Sequence, residues 1–111
     1  MSAAVELRDV TDQSFSDEVL ASETPALVDF WGDHCPACRQ ISPILKQLAA
    51  EYAGRLRILK MHAAENPRTA SRFRVHAMPT VLAFSRGRVV GQLVGARAKS
   101  AFVELIDRAL A

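Results

Sequence analysis

The sequence predicts an α/β fold, with a central mixed five-stranded sheet flanked by four helices. Three observations carry that prediction. Short apolar runs of the kind buried strands show alternate with stretches whose apolar residues recur at helical spacing. Helix-start signals precede those stretches, at Ser14 and again at Asn66-Pro67. Near the C-terminal end, "TVLAF" and "RVVGQLV" flank Arg86-Gly87 at the spacing of a β-hairpin, which adds antiparallel pairing to the sheet.

Val5, Leu7 and Val10 mark a short opening strand. "SFSD" begins a short helix, with Ser14 as its N-cap and Phe15, Val19 and Leu20 as its apolar face. "ALVDFW", Ala26 to Trp31, is a buried-type strand. Ile41, Leu45, Leu48 and Tyr52 then repeat at helical spacing, in a helix that starts close to the cysteines and ends near Gly54. Pro43 lies inside it and must interrupt its hydrogen-bond ladder.

"RLRILKM", Arg55 to Met61, is the third strand. Asn66 as N-cap and Pro67 at the first helical position open a helix through Ala70 and Phe73. The hairpin follows, and Phe102, Leu105, Ile106 and Ala109 form the apolar face of a terminal helix. The order β-α-β-α-β-α-β-β-α places helices on both faces of the sheet. No repeat or linker interrupts it, and residues 1–111 are expected to form a single domain.

At 111 residues and 50% hydrophobic, the chain can build its own core without disulfide staples. A formal charge of +2 with interleaved acids and bases argues against nucleic acid or an anionic membrane as the main partner. No apolar run approaches the ~20 residues of a membrane helix. The start "MSAAVELRDVTDQSF" lacks the marks of a signal peptide, so a cytoplasmic location is expected.

The two cysteines, Cys35 and Cys38, lie in "WGDHCPACRQ". At a strand-to-helix junction, Cys35 falls at the helix N-terminus and Cys38 one turn inside. Unsatisfied N–H groups and the helix dipole favour a thiolate at Cys35, leaving Cys38 as the resolving thiol. A zinc or iron–sulfur site needs about four ligands, and beside this pair stands only His34. No metal and no bound cofactor are expected, and His62 and His76 read as surface residues. A structural disulfide would close too small a loop to stabilise much. The favoured reading is a reversible redox couple. Asp29, within the apolar "LVDFW", is costly to bury and is expected to have a raised pKa.

From about residue 5 onward the chain resembles the thioredoxin family. The likeness rests on "VDFWGDHCPACRQISP", Lys60, Asn66-Pro67, "FRVHAMPTVLAFSRGRVV" and "VGA" at Val94 to Ala96. The resemblance implies a thioredoxin fold and a protein-disulfide reductase. It implies Cys35 as nucleophile, Cys38 as resolving thiol, and Asp29 beneath Cys38, moving its proton, with Lys60 beside it. The alternative for Lys60 is a solvated cation at a strand end. Pro79 matches the family's cis-proline, exposing the Met78 backbone to an extended substrate segment. Trp31, Pro36, Ala37, Met78, Gly95 and Ala96 would then form an apolar docking rim.

The chain departs from the family pattern at Pro36-Ala37, where Gly-Pro is usual, at His34, where tryptophan is usual, and at Ala64, where an aspartate is common. A more oxidising potential set by His34, Pro36 and Ala37 is the expectation. Implied partners are disulfide-containing proteins and an NADPH-dependent thioredoxin reductase, with a monomer as the default. Two rival readings are a more oxidising disulfide oxidase or isomerase, and a thioredoxin-fold chaperone or assembly module that binds proteins through the apolar rim.

Overall fold

The structure, a computed structural model, describes residues 6–111. Val5, expected in the first strand, lies outside the described residues. Among those residues the elements run β1 (Arg8–Asp9), a single π-type turn (Ser16–Leu20), β2 (Ala26–Trp31), α1 (Pro36–Glu51) and β3 (Arg57–His62). They continue with α2 (Pro67–Arg72), β4 (Thr80–Ser85), β5 (Arg88–Val94) and α3 (Lys99–Leu110). The strands form one sheet in the order β1-β3-β2-β4-β5. β1 and β2 both run parallel to β3, whereas β4 is antiparallel to β2 and β5 to β4. This is the thioredoxin fold that the sequence led us to expect.

Alternation along the strands divides the interior into two layers. Leu27, Ile58, Val81 and Ala83 face α1 and α3, meeting Ile41, Leu45, Leu48, Phe102, Leu105 and Ile106. Val28, Phe30, Leu59, Met61, Leu82 and Phe84 face the other way, against Phe15, Val19, Ala70 and Val75. Both faces of β2 are therefore covered, which is why "ALVDFW" reads as a continuous apolar run rather than an alternating one. Phe102 and Ile106 are wholly buried, and each such side chain contributes roughly 1.5–3 kcal/mol on transfer from water.

Local signals decide the element ends, with two corrections. Ser14 does not cap the first helical turn. Thr11 does, its Oγ1 accepting from the Ser14 N–H while its own N–H donates to Ser14 Oγ. That is a reciprocal capping pair, in which Ser14 takes the inner position. Asn66 stands at the N-cap position of α2 but makes no capping bond with its side chain. Its Oδ1 instead accepts from the Asp12 N–H, and its Nδ2 donates to the His62 carbonyl. The capping acceptor is Asp12, whose carboxylate receives the Arg68 and Thr69 N–H groups and the Thr69 hydroxyl.

The hairpin turn is as expected: Arg86 and Gly87 have φ of 54° and 77°, the pair of positive values that a two-residue turn of this hand requires. Pro43 lies within α1, where it has no N–H to return to Arg39.

Candidate active site

β2 ends at Trp31 and α1 begins at Pro36, so a four-residue connection delivers Cys35 to the helix. Cys35 is the N-cap, with extended backbone, Pro36 is the first helical residue, and Cys38 follows within the first turn. The two cysteines are joined as a disulfide with their Cα atoms 5.2 Å apart. The Cys38 N–H donates to Cys35 Sγ at 3.1 Å, so sulfur takes the place a serine or aspartate oxygen fills at other N-caps. Once the pair is reduced, negative charge is favoured at this sulfur by the free N–H groups and by the dipole. Cys38 is buried, whereas Cys35 is partly exposed. Only Cys35 can meet an incoming disulfide.

Asp29 shares a strand face with Leu27 and Trp31, the face covered by α1. It is 4% exposed, and its Oδ1 finds no hydrogen-bond partner within the described protein. Burial pushes its pKa up to about 7, with the Lys60 charge acting in the opposite sense. Lys60 is its neighbour in the parallel β2–β3 register. The Lys60 ammonium stands 3.9 Å from Asp9 Oδ2 and 5.2 Å from the centre of the Trp31 ring. Asp29, Trp31, His34, Cys38 and Lys60 all line one cavity of about 300 Å³, together with Arg39 and Lys46. The buried Asp29 carboxyl group and the inner cysteine thus open onto the same cavity.

The Met78–Pro79 peptide is cis, and the Met78 carbonyl oxygen lies 3.7 Å from Cys35 Sγ. The Gly95 N–H donates to the Pro79 carbonyl at 2.8 Å. Gly95 has φ of 87°, a conformation that a side chain would strain. These contacts bring Met78, Pro79, Gly95 and the adjoining Ala96 to Cys35. Pro36 and Ala37 follow Cys35 directly on α1, and Gly32 approaches the Met78 side chain. His34 is exposed on the connection, with φ of 53°.

One expectation fails here. His62 is not a surface residue: it is 8% exposed. β3 runs to His62 instead of ending at Met61, so the imidazole takes its turn on the α1 face with Ile58 and Lys60. It pairs in register with Trp31 and meets that ring edge-on at 4.6 Å. Its Nε2 is 3.1 Å from Asp33 Oδ2, and its Nδ1 accepts the Glu65 N–H. The parity of Ile58, Lys60 and His62 was the available signal. His76 is exposed, as expected. The structure also adds Val94, 40% exposed beside Gly95 and paired with Thr80, to an apolar surface where Met78 is 39% exposed.

Comparison with known proteins agrees with this geometry. Residues 6–108 match the family model described as Thioredoxin. The chain is 37% identical over 110 residues to Thioredoxin 1 of Nostoc sp., covering 99% of this chain and 100% of that protein. It is 42% identical over 101 residues to a thioredoxin of Acidithiobacillus ferridurans, covering 91% and 94% respectively. It is also 40% identical over 106 residues to the chloroplastic M-type thioredoxin of Pisum sativum, covering 96% of this chain and 62% of that protein.

Proposed function

The chain belongs to the thioredoxin family, and from that premise we propose how its residues divide the work. It is a thiol-disulfide oxidoreductase that reduces protein disulfides through the Cys35–Cys38 couple. In the reduced protein, the Cys35 thiolate attacks one sulfur of a target disulfide. A Cys35–target disulfide forms and the second target sulfur leaves as a thiolate, which takes up a proton. Cys38 then loses its proton and attacks Cys35 Sγ. The target's remaining sulfur departs, and the protein is left with the disulfide seen here. Two electrons have passed to the target.

We assign Asp29 as the base that takes the Cys38 proton. It shares a cavity with Cys38, and a pKa of about 7 lets it accept and return a proton near neutrality. Lys60 sits beside it as the cation that moderates that pKa. Trp31, Pro36, Ala37, Met78, Pro79, Gly95 and Ala96 form the docking rim, with the Met78 backbone offered to an extended substrate segment. His34, Pro36 and Ala37 set the potential. A Pro36→Gly, Ala37→Pro double variant should shift the couple's equilibrium with glutathione toward a more reducing value, and an unchanged equilibrium would remove that assignment.

The oxidase and binding-module alternatives are not favoured by the family match. We further infer disulfide-containing proteins as targets and an NADPH-dependent thioredoxin reductase as electron source. A single domain, a monomer and a cytoplasmic setting complete the reading.

The observation that carries it is the partly exposed Cys35 at the head of α1, bonded to a buried Cys38 over a buried carboxyl group. The test is turnover of a protein disulfide. Cys35→Ser should abolish it, whereas Cys38→Ser should stop after one step and accumulate a Cys35–target adduct visible by mass spectrometry. Full turnover by Cys38→Ser would refute the two-thiol scheme.

A further inference from the structure

The connection that holds Cys35 is Gly32-Asp33-His34, and one of its residues has an unusual backbone. His34 has φ of 53°, in the left-handed region that residues with a Cβ rarely adopt. Such a conformation persists where the surroundings over-determine it. The residue before it, Asp33, is tied to the sheet by one side-chain contact, to His62 at 3.1 Å. The Asp33 side chain is otherwise 70% exposed.

The protonation pattern of His62 follows from its two partners. The Glu65 N–H is a donor and points at Nδ1 at 3.2 Å. Nδ1 therefore presents its lone pair, and the ring proton resides on Nε2. From Nε2 it is donated to the Asp33 carboxylate. Trp31, edge-on at 4.6 Å, packs against the ring. The backbone carbonyl of His62 is held separately by Asn66 Nδ2 at 2.9 Å. An otherwise buried imidazole thus spends both nitrogens on joining the loop after β3 to the loop before Cys35.

We propose that His62 is a positioning residue for the disulfide exchange, acting through Asp33 to hold the turn that seats Cys35 at the head of α1. Without the His62–Asp33 bond, the His34 turn relaxes toward ordinary backbone angles. Cys35 Sγ then loses its alignment with the Cys38 N–H, which lies 3.1 Å away in the intact site. A thiolate deprived of that donor is less favoured, so Cys35 reacts more slowly at neutral pH and its reactivity profile moves to higher pH. The inference rests on the redox role of Cys35 and Cys38. Wild-type turnover of a protein disulfide, measured on the same preparation, tests that role independently.

Two substitutions separate the two bonds of the ring. An asparagine amide occupies the position of Nδ1, keeping an acceptor for Glu65 but falling short of Asp33. A glutamine amide reaches the position of Nε2 and keeps a donor to Asp33. The experiment is the pH profile of Cys35 alkylation by iodoacetamide in the reduced full chain, with circular dichroism to verify folding. His62→Asn and Asp33→Ala should each slow alkylation at pH 7 by about three- to tenfold, the effect of one lost hydrogen bond of ordinary net strength. The double variant should be no slower than either single one, and His62→Gln should stay within about twofold of wild type. Equal impairment of His62→Asn and His62→Gln would overturn the proposal, as would additive losses in the double variant. Wild-type profiles in both His62→Asn and Asp33→Ala would overturn it too.

Discussion

Asp29 shows how one side chain can be worse for stability and better for chemistry. Its carboxyl group titrates at an ordinary 3.8 in the unfolded chain, and burial raises that to about 7 in the fold. Below pH 3.8 the group is neutral in both states and costs nothing. As pH rises, the unfolded chain ionises first, so stability falls progressively until about pH 7 and then levels off. The full difference is on the order of 4 kcal/mol. Asp29→Asn should therefore be more stable than wild type by a few kcal/mol at pH 8, and close to it at pH 4, in denaturant unfolding of the oxidised protein. The same variant should resolve mixed disulfides more slowly. An equal stability difference at the two pH values would show that ionisation is not the cause. The raised pKa that destabilises the fold is what would suit the group to the role of base we propose for it.

At the scale of the element, α2 is a six-residue helix, too short to persist alone. Its first N–H groups are satisfied from outside, by Asp12 on the loop after β1. Burial on its own would push the Asp12 pKa up, but the hydrogen bonds from Thr69 and Arg68 outweigh it and hold the carboxyl below its usual value. The stabilisation is therefore complete above pH 3.8 and is lost as pH falls through the depressed value. Asp12→Ala should cost about 1 kcal/mol at pH 7, as other lost N-caps do. Asp12→Asn should recover much of it by keeping an acceptor. Thermal melts that place Asp12→Ala level with wild type would show that the cap adds nothing. The first helical turn is tied down similarly, because Glu18 pairs with Arg8 on β1 and its carbonyl receives an Arg57 N–H from β3.

Across the whole molecule, the chemistry gathers where β2 and β3 end and β4 begins, at the head of α1. Parallel β2 and β3 put Asp29 beside Lys60 and Trp31 beside His62. Antiparallel β4 and β5 bring Met78 and Val94 to the same surface. In the proposed scheme this apolar surface next to the reactive sulfur is where an extended protein segment docks. Val94→Asp should raise the KM for a protein disulfide by about tenfold, the equivalent of ~1.4 kcal/mol of lost apolar contact. It should leave the reduction of a small-molecule disulfide nearly unchanged. An equal effect on both substrates would place Val94 in the chemistry and not in docking. Among the described residues no helix is long and apolar enough to cross a membrane.

The element order, the hairpin, the two cysteines at a helix head and the costly carboxyl group in β2 were all legible in the sequence. Each depends on local physics: a period of two or of 3.6, a turn that needs positive φ, or a charge set among apolar neighbours. What only the tertiary structure decided are contacts between segments far apart in the chain. Asp12 caps a helix some 55 residues later, and no periodicity encodes that partnership. Asn66 has the composition of a cap yet spends its side chain on Asp12 and His62. His62 read as a surface residue because the end of β3 was drawn one residue short, and its partners Trp31 and Asp33 come from another strand and its following loop. A strand's own residues say which side chains share a face. Which face is buried, and against what, is settled only when the neighbouring strands take their register.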